Sequence, residues 1–348
     1  MAEKPEKKKQ LIRIERIVPY AVILFLIVLG FLGGGWFRRT PQLFEATEFL
    51  MDTSVTIKVF AFSKREGNDL LRKAFDEASR VEHIMEPHKG DGELERINAA
   101  PGKEWHEIST DLEQVLDRSR YFYGLTDGAF DPTIGAVEWL WNFKEGNDVP
   151  PKQEIQEKLR SVGFTSIEMD KARIRFTNPD TQIDLGGVAK GYAIDRMIAV
   201  LRENGAKAAL VNAGGNIATI GEKPGGKPWE IGVNHPRQSM TIRMGHIPFE
   251  AVATSGDYER FFMKDGVRYH HILDPTTGYP ARGCISVTVW ASNAMDSDIL
   301  STAIFVLVHE KGLEFAERLK DVETLIFYEQ DGMVKAVMTP GVMGKVRL

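Results

Sequence analysis

Asp184–Leu185–Gly186–Gly187–Val188–Ala189–Lys190–Gly191–Tyr192 is where the architecture can be decided. It begins within a short strand-like stretch, Gln182–Leu185, and leads into Val188–Asn204, in which Ala193, Met197, Ile198 and Leu201 recur at helical spacing. A glycine turn between strand and helix raises two nucleotide-binding folds at once, and both fail. The P-loop pattern G-x-x-x-x-G-K-[ST] is absent. Farther on, Gly214–Gly215 with Gly221 does not match the G-x-G-x-x-G spacing of a Rossmann dehydrogenase. Outward from the turn, Arg173–Phe176 and Gln182–Leu185 read as a hairpin. Met51–Phe60, Lys207–Ile220, Trp229–Val233, Thr241–His246, Ala251–Thr254, Ser286–Trp290, Thr324–Tyr328 and Val334–Met338 read as strands. Asn68–Met85, Leu112–Tyr123, Pro150–Val162, Asp296–Val308 and Lys311–Leu319 read as helices, and His88–Asn98 as a polar loop entering a short one. Strands follow strands too often for a βαβ repeat, so the fold class is α+β with mixed or antiparallel sheets and packed helices.

The 348 residues are 43% hydrophobic and 27% charged, an ordinary globular balance with length for a sizeable core. A formal net charge of −5 argues against nucleic acid as a partner. Cys284 is the only cysteine, which excludes an intrachain disulfide and a thiolate metal site; any metal would be a hard, oxygen-bound ion such as magnesium. Ile17–Phe37 (IVPYAVILFLIVLGFLGGGWF) carries no charge. At ~1.5 Å per residue it can cross a hydrocarbon core of ~30 Å. Six basic residues, Lys4, Lys7, Lys8, Lys9, Arg13 and Arg16, precede it and favour a cytoplasmic N-terminus, although Arg38 and Arg39 weaken the asymmetry. No A-x-A site follows. The expected organisation is a basic cytoplasmic tail (1–16), a single-pass anchor (17–37), a tether (38–43) and an extracytoplasmic, periplasmic domain (44–348), with Thr40–Ala46 reading as tether-like.

Five groups of residues can carry chemistry. Asp184–Gly187 and Lys190 could bring backbone N–H groups and a cation to a phosphate, or form a plain strand–helix turn with a solvated lysine. Asn212–Ala213–Gly214–Gly215–Asn216 could lie against a flat ring or a phosphate, or be a tight turn or bulge. Asp298, Ser301 and Thr302 share a helix face at i, i+3 and i+4. They could be hard oxygen ligands, or a helix-terminal charge beside a core threonine. In His270–His271–Ile272–Leu273–Asp274–Pro275–Thr276–Thr277–Gly278–Tyr279–Pro280, His271 and Asp274 could be a general base and an orienting or metal-binding carboxylate, or a structural pair. Adjacent histidines in a strand face opposite ways, so one of the two can face a given site. Asp257, Tyr258 and Arg260 could bind an anion or form a surface network.

These segments, in this order, resemble the ApbE family of FAD:protein FMN transferases from about Phe44 to about Gly341. The resemblance rests on Met51–Asp52–Thr53, Gly92–Glu93–Leu94 with Ile97–Asn98, Gly128–Ala129–Phe130–Asp131–Pro132 and Asp184–Tyr192. It continues through Asn212–Asn216, Thr254–Ser255–Gly256–Asp257–Tyr258, His271–Pro275 with Thr277–Gly278, and Asp298–Thr302. It implies a magnesium-dependent transfer of FMN from FAD to a Thr or Ser hydroxyl of an acceptor flavoprotein, with AMP released. Position by position, it implies magnesium at Asp298 and Thr302 with Ser301 beside them and the carbonyl of Gly187. It implies FAD against Met51, His88, Ala129, Phe130, Asp131, Asp184, Lys190 and Ile272. His271 would be the base or orienter, with Asp274 in support. His88 stands where the family often has an aromatic residue, and Gly92 replaces a serine, departures that bear on affinity for FAD more than on the reaction. The acceptors implied are flavin-carrying subunits of sodium-translocating NADH:quinone reductase or Rnf-type complexes. An FAD pyrophosphatase and a non-enzymatic flavin-binding protein are the alternatives.

Overall fold

The computed structural model describes residue 23 and residues 40–347, apart from 88–89, 101, 103, 144–147 and 246. The basic tail, the apolar segment 17–37 and His88 lie outside the described residues. Among the described residues no helix is long and apolar enough to cross a membrane.

One eight-stranded sheet organises the molecule, and its strands lie side by side in chain order. They are β1 (Gln42–Leu50), β2 (Thr53–Ala61), β3 (Ala209–Ala213), β4 (Asn216–Ile220), β5 (Ala251–Gly256), β6 (Ser286–Ala291), β7 (Val322–Gln330) and β8 (Met333–Met338). From β2 to β8 each neighbouring pair is antiparallel. The α+β reading holds. Alternation along the strands sends side chains to both faces. Val287, Val289 and Ile326 join the main core, whereas Val252, Trp290, Leu325 and Phe327 join a second one. The main-core face is covered by α1 (Lys64–Met85), α6 (Ala189–Glu203) and α7 (Ala294–Arg318). Between α1 and α6 come α2 (Glu93–Asn98), α3 (Thr110–Leu125), α4 (Gly135–Trp141) and α5 (Lys152–Lys158). The second core lies under a small sheet built from Gly232–Asn234, Thr241–Met244 and Val346–Arg347.

Two local readings need correction, and a third is borne out. Thr40–Ala46 is no tether for most of its length, because β1 starts at Gln42 and its Phe44 and Ala46 pack against the core. Arg173–Phe176 does not pair with Gln182–Leu185. It pairs with Ile167–Met169 and His106–Glu107, and Gln182 makes only an isolated bridge to Ile134. The two expected helices 296–308 and 311–319 are present within the range of α7, which breaks at Val308, whose φ of 69° and ψ of 159° are non-helical. A β-branched residue rarely adopts that conformation.

The N-terminus of α7 is fixed from two sides. Asn293 accepts from the N–H of Asp296 (2.8 Å), and Asp195 of α6 accepts from the N–H groups of Ala294 and Met295 (2.8 and 2.9 Å). These are donors a helix start leaves without intrahelical partners. Gly191 lets the two helices meet, since a Cβ there would lie 2.3 Å from the carbonyl oxygen of Ala294.

Candidate active site

A cavity of about 700 Å³ opens where the β1–β2 turn, the turn before α6, the end of β5, the His271 loop and the first turns of α7 converge. That volume suits a cofactor-sized ligand. Its wall includes eleven of the residues singled out above: Met51, Ala129, Phe130, Asp131, Asp184, Gly187, Lys190, His271, Ile272, Asp298 and Thr302.

Asp298 is the most constrained of them. It is 3% exposed. Its Oδ2 accepts from the N–H of Gly191 (2.9 Å) and its Oδ1 from Nδ2 of Asn216 (2.8 Å). Both donors are neutral, and among the described residues no ion pair reaches this carboxylate. One helical turn on, Thr302 Oγ1 lies 3.3 Å from Ser255 Oγ and 3.2 Å from where a Cβ of Gly187 would stand. A carboxylate, a hydroxyl and a nearby backbone carbonyl are hard oxygen donors and fit a magnesium-like cation. No cluster of three His, Cys, Asp or Glu side chains able to hold a metal occurs among the described residues. Asp298, Thr302 and the Gly187 carbonyl would supply only part of the shell of such a cation. Asp195, behind the site, is pushed up to about 6, first by burial and then by the charges of Asp296 and Asp298.

His271 faces the same cavity. Its Nδ1 lies 3.3 Å from the carbonyl oxygen of Arg260, which can only accept, so the ring donates there and Nε2 carries the lone pair. Burial, then the charges of Arg260 and Lys190, push the ring down to about 3, and it stands neutral at physiological pH. His270 points away, as alternation requires. It is buried, donates from Nε2 to the Ala281 carbonyl (2.9 Å) and is held at about 4, mainly by desolvation. Lys190 folds back and donates to the Gly186 carbonyl (2.9 Å). Asp131 is buried and raised to about 6 by desolvation, although Thr133 donates to it through both N–H and hydroxyl.

The β1–β2 turn shows strain. Met51 and Asp52 both have positive φ, 54° and 57°. Two such residues joining neighbouring strands make the tight hairpin turn that usually takes Asn or Gly. Methionine there costs roughly 1–3 kcal/mol. The N–H of Met51 donates to Glu82 Oε1 (2.7 Å), which ties the strained residue to α1.

Asp274 and Ser301 are not on the cavity wall. Asp274 closes its own turn: Oδ1 accepts from the N–H of Thr276 (2.8 Å) and Oδ2 from the hydroxyl of Thr277 (3.3 Å). It shapes the loop that carries His271. Ser301 is fully buried, donates to the carbonyl of Asp298 (2.9 Å) and pairs with Ser255 (2.8 Å). It holds the helix turn and takes no place among the donors that face the cavity. Asp257 and Arg260 divide. Asp257 is paired with Arg237 (2.5 and 2.7 Å), while Arg260 reaches the cavity and lies 3.8 Å from Asp52. Asn212–Asn216 is a tight turn, with Gly214 and Gly215 at φ of 59° and 98°. Residue spacing did not single out Asn216 and Ser255 as the partners of Asp298 and Thr302. Their signal is chemical, polar side chains at the ends of strands whose other residues are largely apolar.

The sequence profile of the ApbE family matches residues 51–326. The chain belongs to the ApbE family. An FAD:protein FMN transferase of Treponema pallidum is 30% identical over 94% of this chain and 94% of its own length. Another, of Haemophilus influenzae, is 34% identical over 72% and 76%. Among solved structures, the ApbE protein of Thermotoga maritima shares 37% identity with a TM-score of 0.76, over 84% of this chain and 96% of its own. The flavin transferase ApbE of Vibrio cholerae shares 29% with a TM-score of 0.77, over 87% and 98%.

Proposed function

We propose that this ApbE-family chain transfers the FMN half of FAD to a Thr or Ser hydroxyl of an acceptor protein and releases AMP. The observation that carries the reading is one cavity wall shared by a neutral histidine and the Gly187–Asp298–Thr302 oxygen set. In this reading the acceptor hydroxyl gives its proton to Nε2 of His271 as its oxygen attacks the FMN-side phosphorus. The bond from that phosphorus to the bridging oxygen breaks, and AMP departs with that oxygen. Magnesium, held by Asp298, Thr302 and the Gly187 carbonyl, would supply neutralisation of the pyrophosphate charge. Asn216 and the N–H of Gly191 keep the Asp298 carboxylate turned to its task. Arg260 and Lys190 add positive charge, and Lys190 can leave the Gly186 carbonyl for a phosphate. The strained Met51 turn and Phe130 shape the walls around the dinucleotide.

The apolar segment 17–37 and its basic flank support a single-pass anchor in the cytoplasmic membrane with the catalytic domain outside. The acceptors would then be exported flavin-carrying subunits, such as those of sodium-translocating NADH:quinone reductase or Rnf-type complexes. The test combines the full chain in detergent with FAD, magnesium and such a subunit. Mass spectrometry should show an FMN-sized increase on the subunit, with AMP appearing in step. AMP without labelling would replace transfer by FAD hydrolysis, and FAD binding with neither product would leave a binding protein.

A further inference from the structure

Beside the mouth of the cavity lies a second recess of about 430 Å³, lined by Phe49, Asp52, Phe143, Glu259, Arg260 and Phe261. Four of these, Asp52, Phe143, Glu259 and Arg260, also wall the main cavity, so the two spaces adjoin. The three phenylalanines come from separate elements: β1, the segment after α4, and the strand Phe261–Lys264. Phe49 is 73% exposed and Phe261 38%. Strand alternation turns Phe44, Ala46 and Leu50 toward the core and leaves Phe49 on the opposite side. The other two rings are held: Phe143 stacks on Trp141 (5.7 Å between centroids, 3° between planes), and the Arg268 guanidinium sits 3.8 Å from the centre of Phe261. Rigid aromatic surface next to a reaction cavity binds a partner with little ordering cost.

We propose that this recess seats the acceptor polypeptide, holding one large apolar side chain of an extended acceptor segment against Phe49 and Phe261 while a neighbouring residue sends its hydroxyl into the cavity. The inference rests on the transfer reading above. Its argument is adjacency and order of arrival. The main cavity is large enough for the dinucleotide, the acceptor must enter past a bound donor, and the recess, where three phenylalanine rings alternate with Asp52, Glu259 and Arg260, adjoins that cavity. The Arg260–Asp52 pair at the boundary offers main-chain groups of the segment both a donor and an acceptor.

The test uses the full chain in detergent with Phe49→Ser, Phe261→Ser, the double variant and the conservative Phe49→Leu. Binding of the acceptor subunit to the FAD-loaded chain is read by biolayer interferometry, FAD affinity by flavin fluorescence, and transfer by acceptor labelling. The double variant should bind the acceptor about tenfold or more weakly and raise its KM to match. FAD affinity, melting temperature and kcat at saturating acceptor should stay near wild type, and Phe49→Leu should recover most of the loss. Unchanged acceptor binding would overturn the proposal. So would a loss of FAD affinity with acceptor binding intact, which would give the recess to the flavin ring. A wild-type chain that binds the acceptor but never labels it would remove the transfer reading instead, since binding is measured without turnover.

Discussion

The His271 ring is neutral because three influences agree: it has lost water, and Arg260 and Lys190 both disfavour a further proton. A base is useful only with a free lone pair, and the contact to the Arg260 carbonyl leaves that pair on Nε2. Asparagine can keep the donor contact and cannot accept a proton at the second position. His271→Asn should therefore lower kcat about a hundredfold or more, with KM for FAD changed only a few-fold; unaltered turnover in steady-state labelling assays would remove the base role. Asp298 makes a different prediction, because its part is to bind rather than to move a proton. Asp298→Asn retains an oxygen for one of the two neutral donors and loses the charge. Activity should fall, and the magnesium concentration for half-maximal rate should rise by about tenfold or more, since roughly one strong charge-assisted contact is lost. A titration of rate against magnesium with unchanged midpoint would exclude Asp298 as a ligand.

Among the elements, the α6–α7 junction decides whether these side chains can meet. Gly191 sits where a Cβ would press on the Ala294 backbone, and its own N–H holds Asp298. Gly191→Ala must push the helices apart at the point where Asp195 caps α7. The expected cost is about 1–3 kcal/mol, seen as a lower melting temperature, with a loss of activity larger than stability alone explains; an alanine variant of wild-type stability and rate would show the contact to be slack. Long amphipathic elements such as α1 were legible from their apolar spacing, although the reading began at Asn68 and missed the first turn, which Ser63 caps. Even the break at Val308 showed as two helical stretches with a gap. Arg173–Phe176 misled because its partners lie elsewhere in the chain and a short strand does not encode its neighbour. In the hairpin Phe261–Lys264 with Val267–His270, the signal is Asp265–Gly266, at φ 51° and 76°, between strands too short for clear alternation. The site divides in the same way. Asp298 and Thr302 are one turn apart and legible as a pair. Ser301, one residue off that line, turns into the protein, and Asn216 reaches Asp298 only because sheet register brings β4 beneath α7.

Across the whole molecule, buried titratable groups oppose one another. His270 and His271 are held down to about 4 and about 3. From there up to the ordinary imidazole range of ~6.5 the unfolded chain binds more protons at these two positions, so they make stability rise with pH. Asp131 and Asp195 are raised to about 6 from 3.8. Between those values the native state holds more protons at the two carboxyls, so they make stability fall as pH rises. Both effects overlap between about pH 4 and about pH 6, where Glu259, also raised by burial, joins the carboxyls, so each variant is read against the wild-type slope. Removing one member shifts that slope. Asp131→Asn keeps the oxygen that accepts from Thr133 and cannot titrate, so its melting temperature should climb with pH relative to the wild type. His270→Gln can still donate to the Ala281 carbonyl, and its melting temperature should drift downward relative to the wild type over the same interval. Because slopes are compared rather than absolute stabilities, a repacking penalty at either position leaves the contrast readable by differential scanning fluorimetry. Slope changes of the same sign in both variants would mean that these four groups do not govern the response of the fold to acid.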